Sequence, residues 1–314
     1  MAAVVSSANF SDKLSPAPIL TITIPFSTPF LQNRLKMTPS GFAQSSCMND
    51  LSLLGNHDYD LSKIFSLRGK VTVIVGGSGD LGRALALSFS KGGSDVVLMG
   101  RNKERLVTIK KDIEETACNV SVHLADVTNL AKMKRVAHAA FQEHHKIDVL
   151  ITSQGTNLRI PTARYPLKLW EKVINVNLKG TFISCKTFGK YMIEQGSGKI
   201  VNISSTAGAS GYEWGYSAYA PSKGGVDALT RTLAVEWAKY GINVNGVAPY
   251  FVVTNLTAKF LKDRDIRSAI LRGIPMRRFG HPEDIVGAVV FLSSSASDWI
   301  TGQILYVDGG YMAH

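Results

Sequence analysis

Short runs of β-branched residues alternate with longer amphipathic stretches from residue 65 to the end of this 314-residue chain. The apolar runs lie at 70–75, 95–99, 120–124, 147–152, 199–203, 243–247 and 303–307, and helical periodicity marks 81–91, 103–116, 131–144, 169–195, 217–240 and 283–293. Strands that alternate with helices pair in parallel, because each helix returns the chain across one face of the sheet. The pattern predicts an α/β fold in one domain, 65–314, with a doubly wound parallel sheet and helices on both faces.

Residues 1–64 lack this alternation and are predicted to form an N-terminal extension. Ser, Thr and Pro recur within residues 1–50, where Asp12 and Asp50 are the acidic residues. That composition is typical of an organellar transit segment, which would place the protein in the lumen of a plastid or mitochondrion. The alternatives are a plain extension on a cytoplasmic protein, or a true start at Met37 or Met48.

Composition excludes several classes of protein. The net charge is +11, but no run of four basic residues occurs, so we expect attraction of a phosphorylated cofactor or acidic substrate rather than nucleic-acid binding. The apolar runs are shorter than the roughly 18 to 20 residues of a membrane span. The three cysteines lie far apart, and His138, His144 and His145 lack zinc-binding spacing, so no metal site is predicted.

A glycine-rich loop follows the first predicted strand and leads into a helix. The residues predicted to line a dinucleotide pyrophosphate there are Gly76, Gly77, Ser78, Gly79, Asp80, Leu81 and Gly82. Glycines let the backbone approach a pyrophosphate closely, and the N-terminus of the helix presents free N–H groups to it. This order of strand, loop and helix predicts a Rossmann-like dinucleotide-binding domain.

The end of the second predicted strand bears on the choice of dinucleotide. An acidic residue there would bind the ribose hydroxyls of NAD(H), but this chain has Gly100 and Arg101. A guanidinium is suited to a 2'-phosphate, so NADP(H) is favoured over NAD(H). The alternative is a solvated Arg101 with relaxed specificity. After the third strand, Asp126, followed by Val127, is expected to contact the adenine or to cap the next helix.

Tyr219 and Lys223 stand four residues apart and therefore share a helix face. An ammonium about 4 Å from a phenol supplies roughly the 4 kcal/mol needed to bring a tyrosine pKa from about 10 to about 7. Ser205 follows a predicted strand and is expected to donate a hydrogen bond to a substrate oxygen, while Asn177 is expected to hold a relay water. Hydride transfer to a carbonyl requires such a proton donor.

These motifs together resemble the short-chain dehydrogenase/reductase family over residues 66–314. The resemblance implies a catalytic tetrad with Tyr219 as the acid/base, and with Tyr219 and Lys223 also at the nicotinamide ribose. It implies further cofactor contacts at Gly155, Pro249 and Thr254. The last segment, 302–310, looks like the family's final strand and implies a homo-oligomer, either a tetramer or a dimer. The implied tetrad is Asn177, Ser205, Tyr219 and Lys223.

The chain departs from the family pattern at three places. The family's glycine loop usually reads Thr-Gly-x-x-x-Gly-x-Gly, but Val75 replaces the Thr and Asp80 the middle Gly. Residues 152–155 read Thr-Ser-Gln-Gly where the family has Asn-Asn-Ala-Gly, and Tyr250 follows Pro249 where Gly is usual. A carboxylate beside a pyrophosphate should cost affinity unless it points outward as a helix cap.

Within the family, segments 65–70, 155–161 and 278–310 look most like gluconate 5-dehydrogenases and related sugar-acid and alcohol dehydrogenases. The resemblance implies NAD(P)(H)-dependent interconversion of a secondary alcohol and a ketone on a small molecule such as a sugar acid or polyol. Arg159 is predicted to bind a substrate carboxylate, beside Ser205 and Tyr219, unless it is a surface arginine. One alternative is a ketoreductase of lipid or specialised metabolism, and another is a cofactor-sensing protein with little turnover. Substrate-facing or packing aromatics are expected at Tyr212, Trp214 and Tyr216.

Overall fold

The computed structural model describes residues 60–116, 118–213 and 215–313, with only the backbone of Lys259. Predictions for the transit segment and for Trp214 lie outside these residues. The division of the chain at residue 64 stays a prediction, and a short helix, Leu61–Ile64, lies just ahead of it. Among the helices of the described part, none is long and apolar enough to cross a membrane.

All seven predicted strands are confirmed within about three residues at each end. They form one parallel sheet in the order β3-β2-β1-β4-β5-β6-β7. The strands are β1 (Val71–Val75), β2 (Asp95–Gly100), β3 (Val120–Leu124), β4 (Val149–Thr152), β5 (Gly198–Ile203), β6 (Ile242–Pro249) and β7 (Ile304–Val307). Because the chain leaves β1 toward one edge and returns to β4 on its other side, a crevice is expected where these two strands end.

Each helix predicted from periodicity is present, and three short ones were missed. The helices are α1 (Leu61–Ile64), α2 (Asp80–Lys91), α3 (Lys103–Glu114), α4 (Leu130–His144), α5 (Leu167–Ile174), α6 (Gly180–Gln195), α7 (Tyr219–Trp237), α8 (Ala258–Leu261), α9 (Arg264–Arg272) and α10 (Pro282–Ser293). The missed ones are α1, α8 and α9. The single helix expected over 169–195 is divided into α5 and α6 by a π-helical turn, Asn175–Lys179. One extra residue in a turn shifts the helix face, and such turns are frequent at functional sites.

The sheet is covered on both faces, as the doubly wound fold predicts. Alternate residues of β1 face opposite sides: Val73 and Val75 belong to the core that includes Phe188 of α6, whereas Ile74 belongs to the core that includes Phe89 of α2. All five side chains are fully buried. Burial of such a side chain stabilises the fold by about 1.5 to 3 kcal/mol. The two cores therefore fix the strand ends from which the functional loops extend.

Candidate active site

The glycine loop joins β1 to α2 and is packed too closely for other residues at two positions. A Cβ on Gly76, whose φ is +84°, would lie 2.6 Å from the backbone nitrogen of Gln154. A Cβ on Gly82 would lie 2.5 Å from the carbonyl oxygen of Gly76. The N-cap of α2 is Gly79, which has no side chain to cover the first N–H groups. The loop therefore leaves a helix N-terminus open to an anion, and it fits a dinucleotide pyrophosphate.

The middle of the loop rests on β2. The N–H groups of Gly76 and Gly77 both donate to the carbonyl of Met99 at 2.9 Å. A Cβ on Gly100 would lie 2.8 Å from the Ser78 hydroxyl, so the glycine at the end of β2 makes room for that serine. Ser78 is thereby held beside the loop that carries Arg101.

Asp80 departs from the family pattern, and its carboxylate is held by three hydrogen bonds. It accepts hydrogen bonds from Arg105 Nη2 at 2.6 Å and from the Asn255 backbone N–H at 2.6 Å. The Asn255 side-chain amide donates a third bond at 2.8 Å. Burial raises the pKa of Asp80, but these donors outweigh it and hold the pKa below its usual value. Asp80 thus joins the glycine loop to α3 and to the loop after β6 rather than capping α2.

A first cavity, the loop cavity, lies between the glycine loop and the ends of β2 and β3 and has a volume of about 260 Å³. The Arg101 side chain is 65% exposed, with Nη1 3.9 Å from Asp126 Oδ2. The Asp126 carboxylate accepts hydrogen bonds from the backbone N–H and the hydroxyl of Thr128. The N-cap of α4 is Asn129, so the alternative prediction that Asp126 caps this helix is wrong. Predicted cofactor residues that line the loop cavity are Gly76, Ser78, Gly79, Arg101, Asp126, Val127 and Gly155.

A second cavity, the strand-end cavity, has a volume of about 450 Å³ and lies over the carboxyl ends of the central strands. Predicted site residues that line it are Gly79, Asp80, Leu81, Gly82, Gly155, Ser205, Tyr219, Lys223, Pro249 and Thr254. Gly77 and Asn177 line neither cavity, since Gly77 packs on Leu98 and Asn177 is fully buried. The structure thus brings most of the predicted cofactor residues to one continuous cleft.

A third cavity, the arginine cavity, shares the Ser205 and Tyr219 side chains with the strand-end cavity and is lined also by Arg159. Ser205 caps a short 3-10 turn after β5, and Tyr219 is the first residue of α7. A hydrogen bond from the Ser205 hydroxyl lowers the pKa of Tyr219. The two hydroxyls therefore stand between a cleft suited to a dinucleotide and a small cavity suited to a substrate.

The pKa of Tyr219 is raised, not lowered. Burial of the phenol raises it to about 12 and outweighs the Ser205 hydrogen bond. The Lys223 ammonium donates to the Ile203 carbonyl at 2.7 Å and lies 5.8 Å from the centroid of the Tyr219 ring. Burial also lowers the pKa of Lys223 to about 8. The spacing of Tyr219 and Lys223 predicted a lowered tyrosine pKa, and in the protein without coenzyme that prediction is wrong. The spacing does not reveal that the phenol is buried.

Asn177 lies in the π-helical turn and joins three elements. Its side-chain oxygen accepts from the Thr156 backbone N–H at 2.8 Å, and its amide donates to the Thr156 carbonyl and to the Ser222 hydroxyl. A Cβ on Gly155 would lie 3.8 Å from the Asn177 side-chain oxygen and 4.0 Å from Lys223 Nζ. Asn177 therefore holds the loop after β4 against α7, next to the space that Gly155 leaves open.

Arg159 is surrounded by aromatic rings. Its guanidinium carbon lies 3.6 Å from the centroid of Phe260, 4.9 Å from that of Tyr216 and 5.5 Å from that of Phe251. Burial lowers the pKa of Arg159, and the Tyr216 hydroxyl is a hydrogen-bond partner that opposes this effect. Cation–π contacts of this kind hold a guanidinium in a fixed position at the wall of the cavity.

Several cleft residues were missed in the sequence. Arg105 lies in the first turns of α3, and Asn255, Leu256, Thr257 and Phe260 follow β6. The only sequence signal for them is their position just after strand ends. Cys185 is fully buried, as expected of a small apolar residue, and burial raises the pKa of its thiol to about 12.

The sheet order, the open helix N-terminus and the paired Ser205 and Tyr219 hydroxyls define a class: an α/β oxidoreductase that uses a nicotinamide dinucleotide. A family model described as enoyl-(acyl carrier protein) reductase matches residues 77–312. The 3-oxoacyl-(acyl-carrier-protein) reductase FabG of Thermotoga maritima is 38% identical over 244 residues, which are 78% of this chain and 98% of that protein. Gluconate 5-dehydrogenase of Gluconobacter oxydans is 34% identical over 247 residues, 79% of this chain and 96% of that protein.

A solved structure extends this comparison. The gluconate 5-dehydrogenase from Burkholderia cenocepacia, in complex with NADP and tartrate, has a TM-score of 0.77 and 30% identity and covers 81% of this chain and 99% of its own. This chain belongs to the short-chain dehydrogenase/reductase family. It is an NAD(P)-dependent oxidoreductase that acts on CH–OH groups and interconverts a secondary alcohol and a ketone.

Proposed function

We propose that the enzyme acts on a short hydroxylated carboxylic acid of the sugar-acid type, with NADP(H) preferred over NAD(H). The observation that carries this proposal is the position of Arg159, which lines the same cavity as Ser205 and Tyr219. A guanidinium binds a carboxylate with two parallel hydrogen bonds, which fixes orientation as well as adding affinity. Two of the similar proteins support the same substrate class. One is the gluconate 5-dehydrogenase of Gluconobacter oxydans, and the other is the Burkholderia cenocepacia enzyme, whose structure contains tartrate.

In this proposal the Ser205 and Tyr219 hydroxyls both donate to the substrate oxygen. Bound nicotinamide supplies or accepts the hydride. During reduction Tyr219 gives its proton to the developing alkoxide, and during oxidation its phenolate takes the proton of the alcohol. The Lys223 ammonium and Asn177 lie beside Gly155, and in this proposal they relay the proton that Tyr219 gives up or takes back.

The preference for NADP(H) rests on the loop cavity. Ser78, Arg101 and Asn102 line it together at the end of β2. Charge-assisted hydrogen bonds from a guanidinium are suited to a phosphate, and no acidic side chain of β2 occupies the position that would repel one. The cofactor contacts of Gly155, Pro249 and Thr254 belong to the same proposal.

The test is a comparison of substrates and coenzymes. Purified enzyme is mixed with NADPH or NADH and with 5-keto-D-gluconate or a 3-oxoacyl thioester, and nicotinamide absorbance is followed. The proposal predicts the highest kcat/KM with NADPH and 5-keto-D-gluconate. A higher value with the thioester would instead favour a ketoreductase of lipid metabolism, the second candidate, which the 38% identity to the Thermotoga reductase supports. Tight coenzyme binding with no turnover of a wide carbonyl panel would favour a cofactor sensor.

The assembly and the location of the enzyme are further parts of the proposal. We propose a homo-oligomer, a tetramer or a dimer, that uses the edge strand β7, where Leu305 and Tyr306 are each 37% exposed. Light scattering of the purified protein tests this, and a monomer would contradict it. Fusion of residues 1–50 to a fluorescent protein distinguishes an organelle lumen from the cytoplasm.

A further inference from the structure

Three tyrosines from separate parts of the chain form a stack at the side of the arginine cavity. Tyr250 follows β6, Tyr311 lies in the C-terminal turn Tyr311–Ala313, and Tyr212 lies between β5 and α7. The rings of Tyr250 and Tyr311 are parallel within 9°, with centroids 3.8 Å apart. The Tyr212 ring lies 6.3 Å from Tyr250 and 6.1 Å from Tyr311. We call these three residues the tyrosine stack.

The tyrosine stack is anchored at its edges. The Tyr212 hydroxyl is hydrogen-bonded to the Thr206 hydroxyl at 2.8 Å. The Asp308 carboxylate accepts from the backbone N–H groups of Gly310 and Met312, which fixes the turn that carries Tyr311. Three rings that are held from three segments form a rigid wall, because none can turn aside without displacing another.

A fourth cavity, the lateral cavity, adjoins Tyr250 of the tyrosine stack, whereas Tyr212 and Tyr311 are not among its lining residues. It has a volume of about 140 Å³, against about 50 Å³ for the arginine cavity, and Tyr250 and Phe251 line both. Apolar side chains that line the lateral cavity are Ile274, Met276, Ile285 and Val307.

The charged groups of the lateral cavity are engaged with each other or with the backbone. Arg278 and Asp284 form a two-bond ion pair at 2.6 and 2.8 Å. The Asp308 carboxylate binds the C-terminal turn. The charges that line the lateral cavity are therefore already compensated, and the cavity is suited to an apolar ligand chain.

We propose that the tyrosine stack, with Tyr250 as its central residue, limits the enzyme to short polar carbonyl substrates and excludes long acyl chains from the lateral cavity. The inference rests on the proposed function and deepens it by naming what the site rejects. Tyr250 stands where glycine is usual in the family, and a glycine there would remove a ring that lines both the arginine cavity and the lateral cavity. The same fold would then accept an apolar chain beside the reacting carbonyl.

The test compares the wild type with Tyr250→Gly, which opens the wall, and with Tyr250→Phe, which keeps the ring. Binding of octanoyl-N-acetylcysteamine to the NADPH-loaded proteins is measured by titration calorimetry. This thioester lacks a 3-oxo group, so binding does not depend on turnover. We expect the glycine variant to bind it about tenfold more tightly or better, since each added methylene contact contributes to binding, and the phenylalanine variant to bind as weakly as the wild type.

Tyr250→Ala provides a second removal of the ring between the two cavities, in case Tyr250→Gly does not fold. A gain in thioester affinity in either folded variant supports the proposal. Tight binding by the wild type, or no gain in either variant, overturns it. Turnover of 5-keto-D-gluconate by the wild type is measured in parallel and tests the proposed function alone, because the calorimetric result stands whether or not that substrate is reduced.

Discussion

Replacement of Arg159 by methionine should separate substrates by their charge. Methionine keeps an apolar chain against Phe260, whose ring lies 3.6 Å from the guanidinium carbon, but removes both donors. A hydrogen bond to a charged group contributes about 1.5 to 3 kcal/mol, and the half-buried position argues for the lower value for each of two bonds. A loss of about 3 kcal/mol corresponds to about a hundredfold in kcat/KM at 1.4 kcal/mol per tenfold.

The assay follows NADPH oxidation with 5-keto-D-gluconate and with its amide, which has the same reacting carbonyl but no carboxylate. We expect the hundredfold loss with the acid and a change of only a few fold with the amide. Arg159→Lys keeps a charge but loses the planar pair of donors. Its kcat/KM with the acid should therefore lie between those of the wild type and of Arg159→Met. Equal losses with acid and amide would show that Arg159 supports the pocket rather than binding the carboxylate.

Three further outcomes follow from the site. Since burial holds the pKa of Tyr219 at about 12, the ratio of alcohol oxidation, which needs the phenolate, to ketone reduction, which needs the phenol, should rise with pH from about 7 to about 10. Loss of the Lys223 proton, whose pKa burial lowers to about 8, should affect both directions alike. Initial rates in both directions check this, and a constant or falling ratio would contradict it. Gly82→Ala should weaken NADPH binding at least about tenfold in a fluorescence titration, because the added Cβ would lie 2.5 Å from the Gly76 carbonyl oxygen. The control is Gly287→Ala, which should bind NADPH as the wild type does, because its Cβ meets nothing within 4 Å. Arg101→Ala should raise the KM for NADPH by about tenfold and leave that for NADH unchanged, and equal effects on both would remove the case for a phosphate contact.

The centre of the sheet could be predicted from the sequence because β1, β2, β4, β5 and β6 are buried on both faces. Continuous β-branched runs such as 70–75 leave few alternatives to a central parallel strand, and the glycine loop located the crevice beside it. Helix α9 was missed although Asp263 caps it and Ile270 is buried, since its apolar face is only two turns long.

The rest of the site depends on contacts that local patterns do not encode. Asp80 binds Asn255, 175 positions further along the chain, so its orientation could not be predicted from the loop that contains it. The π-helical turn at Asn177 adds one residue within an otherwise ordinary helical period. Burial of the Tyr219 phenol reversed the expected direction of its pKa, because burial is a property of the whole fold.

The central claim is that the Tyr219 hydroxyl delivers the proton to a carbonyl held beside bound coenzyme. The most direct measurement compares Tyr219→Phe with the wild type in NADPH titration and in single-turnover reduction of 5-keto-D-gluconate. We predict nearly unchanged coenzyme affinity with a rate lowered by about a hundredfold to ten-thousandfold, the range of a lost general acid. Reduction at the wild-type rate by the phenylalanine variant would contradict the claim.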